Sequence, residues 1–385
     1  MSLEADPATP GEAAPVVPAE AAAAPAKPAE AAPATPAGAA AAPAKPAEAA
    51  PPPPGAPDRL TPEARAMVDL LTSVFPDLGG TVTDAAEARR VLAATPEPPW
   101  EPTAVGSVED RTIPGPEGAP EIPVRIYLPD PAEATGPRPT VVFYHGGGWA
   151  ICDLETHDGT ARALCRGAGA AVVSVDYRLA PENPFPAAVD DADAAFRWAA
   201  AHVAELGGDL HALVVAGDSA GGNLAAVTAQ SARDRGGPAP ALQVLIYPAV
   251  DLVQQWPSYE TNGTGFFLST PHMQWFAAQY LGDPAADRTD PRVSPLRGDL
   301  TGLPPAHIVT AGCDPLCDEG RAYAAKLREA GVTVTEGHFP GMFHGFFGFP
   351  QVLQDAATAV AEVVETVAAT ATDRKNGGEP GGSAG

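Results

Sequence analysis

Cysteine, positive charge and long apolar runs are all scarce in this chain. Its 385 residues include four cysteines, Cys152, Cys165, Cys313 and Cys317. Neither the early nor the late pair has C-x2-C spacing, so a metal knuckle is not expected. Reduced thiols in a cytoplasmic protein are the expectation. Lysine and arginine number 23 against 48 acidic residues, a formal net charge of −25. With no basic patch, nucleic-acid binding is excluded. No run approaches the ~20 apolar residues of a membrane-spanning helix. The acidic start, Met1 to Asp6, lacks the apolar core of a signal peptide.

Alanine and proline are abundant instead, above all in residues 1–57. There the stretch Ala21 to Pro33 recurs as Ala39 to Pro51. Such a repeat has too few large apolar side chains to bury a core, and its prolines forbid a continuous helix. It reads as a disordered, semi-stiff tail. Order is expected from Asp58. Thr61-Pro62-Glu63 opens a helix with a hydroxyl cap and proline at the first position. Asp84 to Glu87 resembles a capping box before a second helix. Residues 58–371 are read as one domain, followed by a Gly-rich tail, 372–385, again expected to be disordered.

Beyond Pro102, strands and helices alternate. Strands are expected over 123–128, 140–144, 170–176, 213–216, 242–247, 306–311 and 332–339. Helices are expected over 157–167, 187–206, 220–232, 318–330 and after Pro350. Alternation of this kind implies a mostly parallel sheet with helices on both faces. The segment 251–299 interrupts it. That segment holds Trp256, Tyr259, Phe266, Phe267, Trp275, Phe276 and Tyr280, seven of the chain's 24 aromatic side chains. It is read as an insertion that packs on the two N-terminal helices, about 58–100, to form a cap.

The stretch Val214 to Asn223 carries the chemistry. Gly217, Ser219 and Gly221 form a G-x-S-x-G elbow between an apolar strand and a small-residue helix. A serine hydroxyl is a weak nucleophile until a base takes its proton and a third group holds the base. On this architecture the acid and then the histidine follow on loops after later strands. Asp314, after 306–311, and His344, after 332–339, stand at those places. His338 and His307 fall inside strands, His272 falls in the insertion, and the other histidines precede the serine. A base of this kind predicts that activity falls as acid protonates the imidazole. The oxyanion formed on attack needs preorganised N–H donors. They are expected from Gly146 and Gly147 of His145-Gly146-Gly147-Gly148-Trp149, and from Ala220 after the nucleophile. Asp218, beside the nucleophile, is read either as tuning the site or as a helix-cap or surface residue, and is not assigned to catalysis. Tyr177, Arg178 and Glu182 read as braces near the elbow, and Cys313 and Cys317 as packed thiols.

With these motifs, Asp176 to Glu182, Asp314 to Glu319 and Gly341 to Phe346, the chain resembles the hormone-sensitive-lipase family of α/β-hydrolases. The bacterial carboxylesterases of that family are the nearest in pattern. The resemblance implies an α/β-hydrolase fold, a mostly parallel central sheet flanked by helices with a helical cap. It implies a serine esterase of short- to medium-chain esters that needs no metal or organic cofactor. Ser219, Asp314 and His344 match the family's triad, and Gly146, Gly147 and Ala220 its oxyanion hole. The expected partners are a small-molecule ester and water, with a homodimer left open. Three other readings remain: an amidase, deacetylase or acyltransferase with the same triad, a non-catalytic ligand receptor on the same scaffold, and a scaffolding role through the Ala/Pro-rich tail.

Overall fold

The computed structural model describes residues 59–95, 101–133, 136 and 138–376. Its strands are β1 (Ser107–Ile113), β2 (Ile122–Leu128), β3 (Arg138–Tyr144), β4 (Ala171–Val175), β5 (Gly208–Asp218), β6 (Leu242–Ile246), β7 (Ala306–Cys313) and β8 (Val334–Phe343). Its helices are α1 (Pro62–Val74), α2 (Ala85–Ala93), α3 (Asp158–Ala168), α4 (Ala187–Ala201), α5 (Ala220–Arg235), α6 (Pro257–Thr261), α7 (Thr270–Leu281), α8 (Cys317–Glu329) and α9 (Gln354–Asn376). The expected tail over 1–57 lies outside the described residues. At the other end α9 runs to Asn376, so the backbone stays helical past the expected boundary at Thr372. Residues 377–385 lie outside the description.

The eight strands form one sheet in the order β1-β2-β4-β3-β5-β6-β7-β8. From β4 through β8 every pairing is parallel, while β1 and β2 join antiparallel at one edge. The strands β4 and β6 are buried along their whole length. Covered on both faces, they are mostly aliphatic, as parallel sheets require, with Ser174 and Gln243 the polar residues among them. Alternate residues of β3 point to opposite faces, as the period of two dictates. Val141 and Phe143 join a core with α1, α3 and α9, whereas Val142 and Tyr144 join a core with α4, α5 and α8.

β1 was not expected. Only Ile113 of its seven residues is buried, and the rest is polar or exposed. An edge strand held by backbone pairing to β2 needs no apolar alternation, so its sequence carries no strand signal. α4 is shorter than expected, ending at Ala201, with the Trp198 carbonyl capped by the N–H of His202.

The order of the strands also positions the site. The chain passes from β3 to β4 on one side and then to β5 on the other, so the crevice beyond β3 and β5 is a topological switch point. The N-terminal helices are capped as their sequences suggest. Thr61 Oγ1 accepts from the Ala64 N–H at 3.2 Å, and Asp84 Oδ1 from the Glu87 N–H at 2.8 Å. Both helices touch the 251–299 segment. Trp275 Nε1 donates to the Thr83 carbonyl at 3.0 Å, Arg65 donates to the Gly265 carbonyl at 2.9 Å, and Phe75 meets Phe267 edge-on at 5.0 Å. Among the described residues, no helix is long and apolar enough to cross a membrane.

Candidate active site

Ser219 sits between β5 and α5 with φ 54° and ψ −115°, a conformation that side chains rarely adopt. Such strain persists only where neighbours over-determine it. Here the Ser219 N–H donates to the Ile246 carbonyl at 2.8 Å. The Ser219 carbonyl accepts from the amides of Asn223 and Ala249 at 3.1 and 3.2 Å. The flanking glycines are steric necessities. A methyl on Gly221 would press into the Tyr144 carbonyl and lie 2.7 Å from the His145 oxygen. One on Gly217 would lie 2.6 Å from the Tyr144 oxygen. The serine is half-buried, so it can be reached from outside.

Asp314 follows β7 and is fully buried. Its Oδ1 accepts from the Leu316 N–H at 2.8 Å, and its Oδ2 lies 2.8 Å from His344 Nδ1. His344 follows β8, and its Nε2 lies 2.9 Å from Ser219 Oγ. A carboxylate can only accept, which assigns the proton to Nδ1 and leaves Nε2 to accept from the hydroxyl. Three residues spread over 126 positions of the chain thus form one hydrogen-bonded line at the strand ends.

Two residues around this line carried no signal in the sequence. Asn262, just past α6, donates to the carbonyls of Gly312 and Asp314 at 3.2 and 2.8 Å, tying the acid's loop to the insertion. Tyr247, at the end of β6 with φ 34°, lays its ring 4.7 Å from that of His344. Burial pushes its phenol far above the ordinary value, so it stays neutral.

The loop after β3 departs from expectation at one residue. The Gly146 amide is not free to meet an oxyanion: it donates to Asp218 Oδ1 at 2.9 Å. Asp218 is therefore neither a helix cap nor a surface residue, because it is buried beneath this loop. The next two glycines, at φ 108° and 56°, have amides with no acceptor among the described residues. Ala220 opens α5, where an N–H has no intrahelical partner. Gly147 and Ala220 thus keep unengaged amides, Gly148 joins them, and Gly146 does not. The ring of Phe276 from α7 packs against Gly148 so closely that no side chain would fit there. Trp149 stacks on Tyr280 at 4.1 Å.

The remaining candidates act as braces. Tyr177 donates its hydroxyl to the His145 carbonyl at 2.8 Å. Arg178 grips buried Asp191 of α4, and Glu182 pairs with Arg89 of α2 at 2.8 Å. Burial, with repulsion from His157, pushes His145 down to about 4, so it is neutral. The four cysteines are thiols rather than disulfides, with Cys165, Cys313 and Cys317 buried. His307 and His338 lie within β7 and β8, bonded to Thr335 and Thr310.

Comparison with known proteins bears on the family and the fold. The family model described as alpha/beta hydrolase fold matches residues 141–348. The carboxylic ester hydrolase LipN of Mycobacterium tuberculosis is 46% identical over 294 residues, 75% of this chain and 76% of that protein. Carboxylesterase NlhH of the same organism is 43% identical, covering 77% of this chain and 93% of its own. Among solved structures, an ester hydrolase from the metagenome of Lake Arreo, complexed with a bipyridine phosphonate derivative, has a TM-score of 0.75. It is 42% identical and covers 81% of this chain and 99% of that one. The esterase of the archaeon Pyrobaculum calidifontis has a TM-score of 0.73 at 40% identity, covering 81% and 99%. The chain belongs to the α/β-hydrolase family, in the hormone-sensitive-lipase-like group that its motifs resemble.

Proposed function

We propose that this protein is a serine carboxylesterase acting on short- to medium-chain esters. The observation that carries the reading is the continuous hydrogen-bonded line from Asp314 through His344 to Ser219. In this mechanism His344 takes the Ser219 proton as the oxygen attacks the ester carbonyl, while Asp314 holds the imidazole. The carbonyl electrons move onto oxygen, facing the amides of Gly147, Gly148 and Ala220. Collapse of the adduct expels the alcohol, which leaves with the proton from His344. Water, deprotonated by the same imidazole, then attacks the acyl-enzyme and frees Ser219 and the carboxylic acid.

The α1–α2 region and the 251–299 insertion serve as a cap whose aromatic side chains favour apolar substituents. Four cysteines held as thiols support a reducing, cytoplasmic setting. The acidic surface opposes nucleic acid as a partner.

The test is a hydrolysis panel of p-nitrophenyl esters from acetate upward, beside matched anilides, with Ser219→Ala as control. Ester turnover should dominate and peak at short or medium acyl length. In Ser219→Ala it should fall by roughly 10⁴-fold or more with folding intact. Anilide turnover matching the esters would move the reading to an amidase.

A further inference from the structure

Asp218 is a buried carboxylate that the proposed mechanism does not use. It stands one residue before the nucleophile yet bonds to a loop 72 positions earlier. Its Oδ1 accepts the Gly146 N–H at 2.9 Å and lies 3.3 Å from His157 Nε2 at the start of α3. A side chain on Gly146 would press into the same carboxylate, so loop and acid are in close contact.

Peptide geometry shows what this contact controls. A trans peptide points its C=O and N–H in opposite directions. The peptide joining His145 to Gly146 is gripped at both ends, its oxygen by the Tyr177 hydroxyl at 2.8 Å and its N–H by Asp218. The next peptide is gripped at its oxygen, where His145 Nδ1 lies 2.7 Å from the Gly146 carbonyl. Its N–H belongs to Gly147 and must point the other way, with no acceptor of its own. The orientation of a free amide thus rests on two fixed peptide planes, one of them anchored by Asp218.

We propose that Asp218, paired with His157, is a positioning residue that orients the His145–Trp149 loop so that Gly147 presents its amide to the oxyanion. This rests on the esterase reading above and assigns the loop's orientation to a side chain outside the triad. The pair also addresses a charge problem. The carboxylate beside the developing oxyanion does not stand bare, because His157 Nε2 lies 3.3 Å from its Oδ1. Burial alone would raise the Asp218 carboxyl. Contact with His157 outweighs burial and leaves it below the ordinary carboxylate value.

The experiment compares Asp218→Asn, which keeps an acceptor for Gly146, with Asp218→Leu, which has similar size and none. Rates are expressed per Ser219 titrated by the burst from an activated ester. Affinity for an aryl boronic acid, which forms a tetrahedral adduct on the serine, is measured alongside. Asp218→Leu should lose about 10²-fold in kcat, the scale of one oxyanion donor. Its KM should move less than about threefold, and boronate affinity should fall in step with kcat. Asp218→Asn should stay within about tenfold of the parent, because it leaves the Gly146 N–H satisfied. Parental kcat per titrated site in Asp218→Leu, or a loss of kcat with boronate affinity intact, overturns the proposal. If Asp218→Leu gives no titratable enzyme, Asp218→Ala, smaller and equally without an acceptor, decides in its place. Weaker boronate binding at unchanged KM supports the proposal, and parental binding overturns it. A Ser219→Ala variant that still gives a burst would instead overturn the esterase reading, whatever Asp218 does.

Discussion

At the rim of the sheet, the residues that build the site sit directly past strand ends. His145 follows β3, Ser219 follows β5, Asp314 follows β7 and His344 follows β8. Above the rim, α1, α2, α6 and α7 are held differently. Their contacts are aromatic rings and side chain-to-backbone bonds across nearly 200 residues, such as Trp275 to Thr83 and Arg65 to Gly265. The rim is fixed by strand register and by glycines that backbone atoms crowd from several sides. The overlying helices are fixed by packed side chains, which can be exchanged or trimmed without moving a strand. Chemistry should therefore be intolerant of change at the rim, and the cover should tolerate change at a cost in stability and in substrate affinity.

The sharpest break in this comparison is Gly221→Ala. Its methyl would meet the carbonyls of Tyr144 and His145, backbone at the end of a central strand that has nowhere to go. The variant should lose about 4 kcal/mol of stability in urea denaturation and most of its titratable serine. Parental stability would show that the elbow is looser than its geometry indicates. Trp275→Ala probes the cover instead. It removes a ring that is only 7% exposed and its bond to Thr83. The expected cost is about 3 kcal/mol, with a raised KM and with kcat within about tenfold of the parent. A kcat loss as deep as that of Ser219→Ala would erase the distinction between rim and cover.

Glu319 lies where the two regions meet and gives the smallest effect. It is fully buried at the start of α8, accepts the Val250 N–H at 2.7 Å and touches the hydroxyl of Tyr259. Burial outweighs these hydrogen bonds and pushes the carboxyl up to about 8. The folded state thus holds a proton that the unfolded chain releases near about 4.5. Its contribution is fully present below the unfolded value and is lost as pH rises toward 8. Glu319→Gln, neutral throughout, should gain on the parent across that window, on the order of 2 kcal/mol. Urea denaturation at pH 5 and pH 8 reads the difference. A constant gap between the two proteins would place the proton elsewhere.

The same contrast governs what the sequence could reveal. Ser219, Asp314 and His344 were legible because each stands just past an expected strand and in the chain order serine, acid, histidine. The sheet was legible because β4 and β6 are mostly aliphatic, broken only by Ser174 and Gln243. Three consecutive glycines gave no sign of which amide was already engaged. The partner that occupies Gly146 is Asp218, which also meets His157 at the start of α3. Asn262 and Tyr247 were invisible for the same reason, since their roles exist only once distant loops meet. β1 was missed because its pairing is made by backbone groups that carry no residue signature.

The central claim is that Ser219 alone carries the acyl group, and covalent labelling tests it most directly. An aryl phosphonate ester incubated with the full chain should add one adduct per molecule by intact mass. Peptide mapping should place that adduct on Ser219, and ester hydrolysis should vanish in proportion to labelling. An adduct on another residue, or hydrolysis that persists after Ser219 is fully modified, would contradict the account.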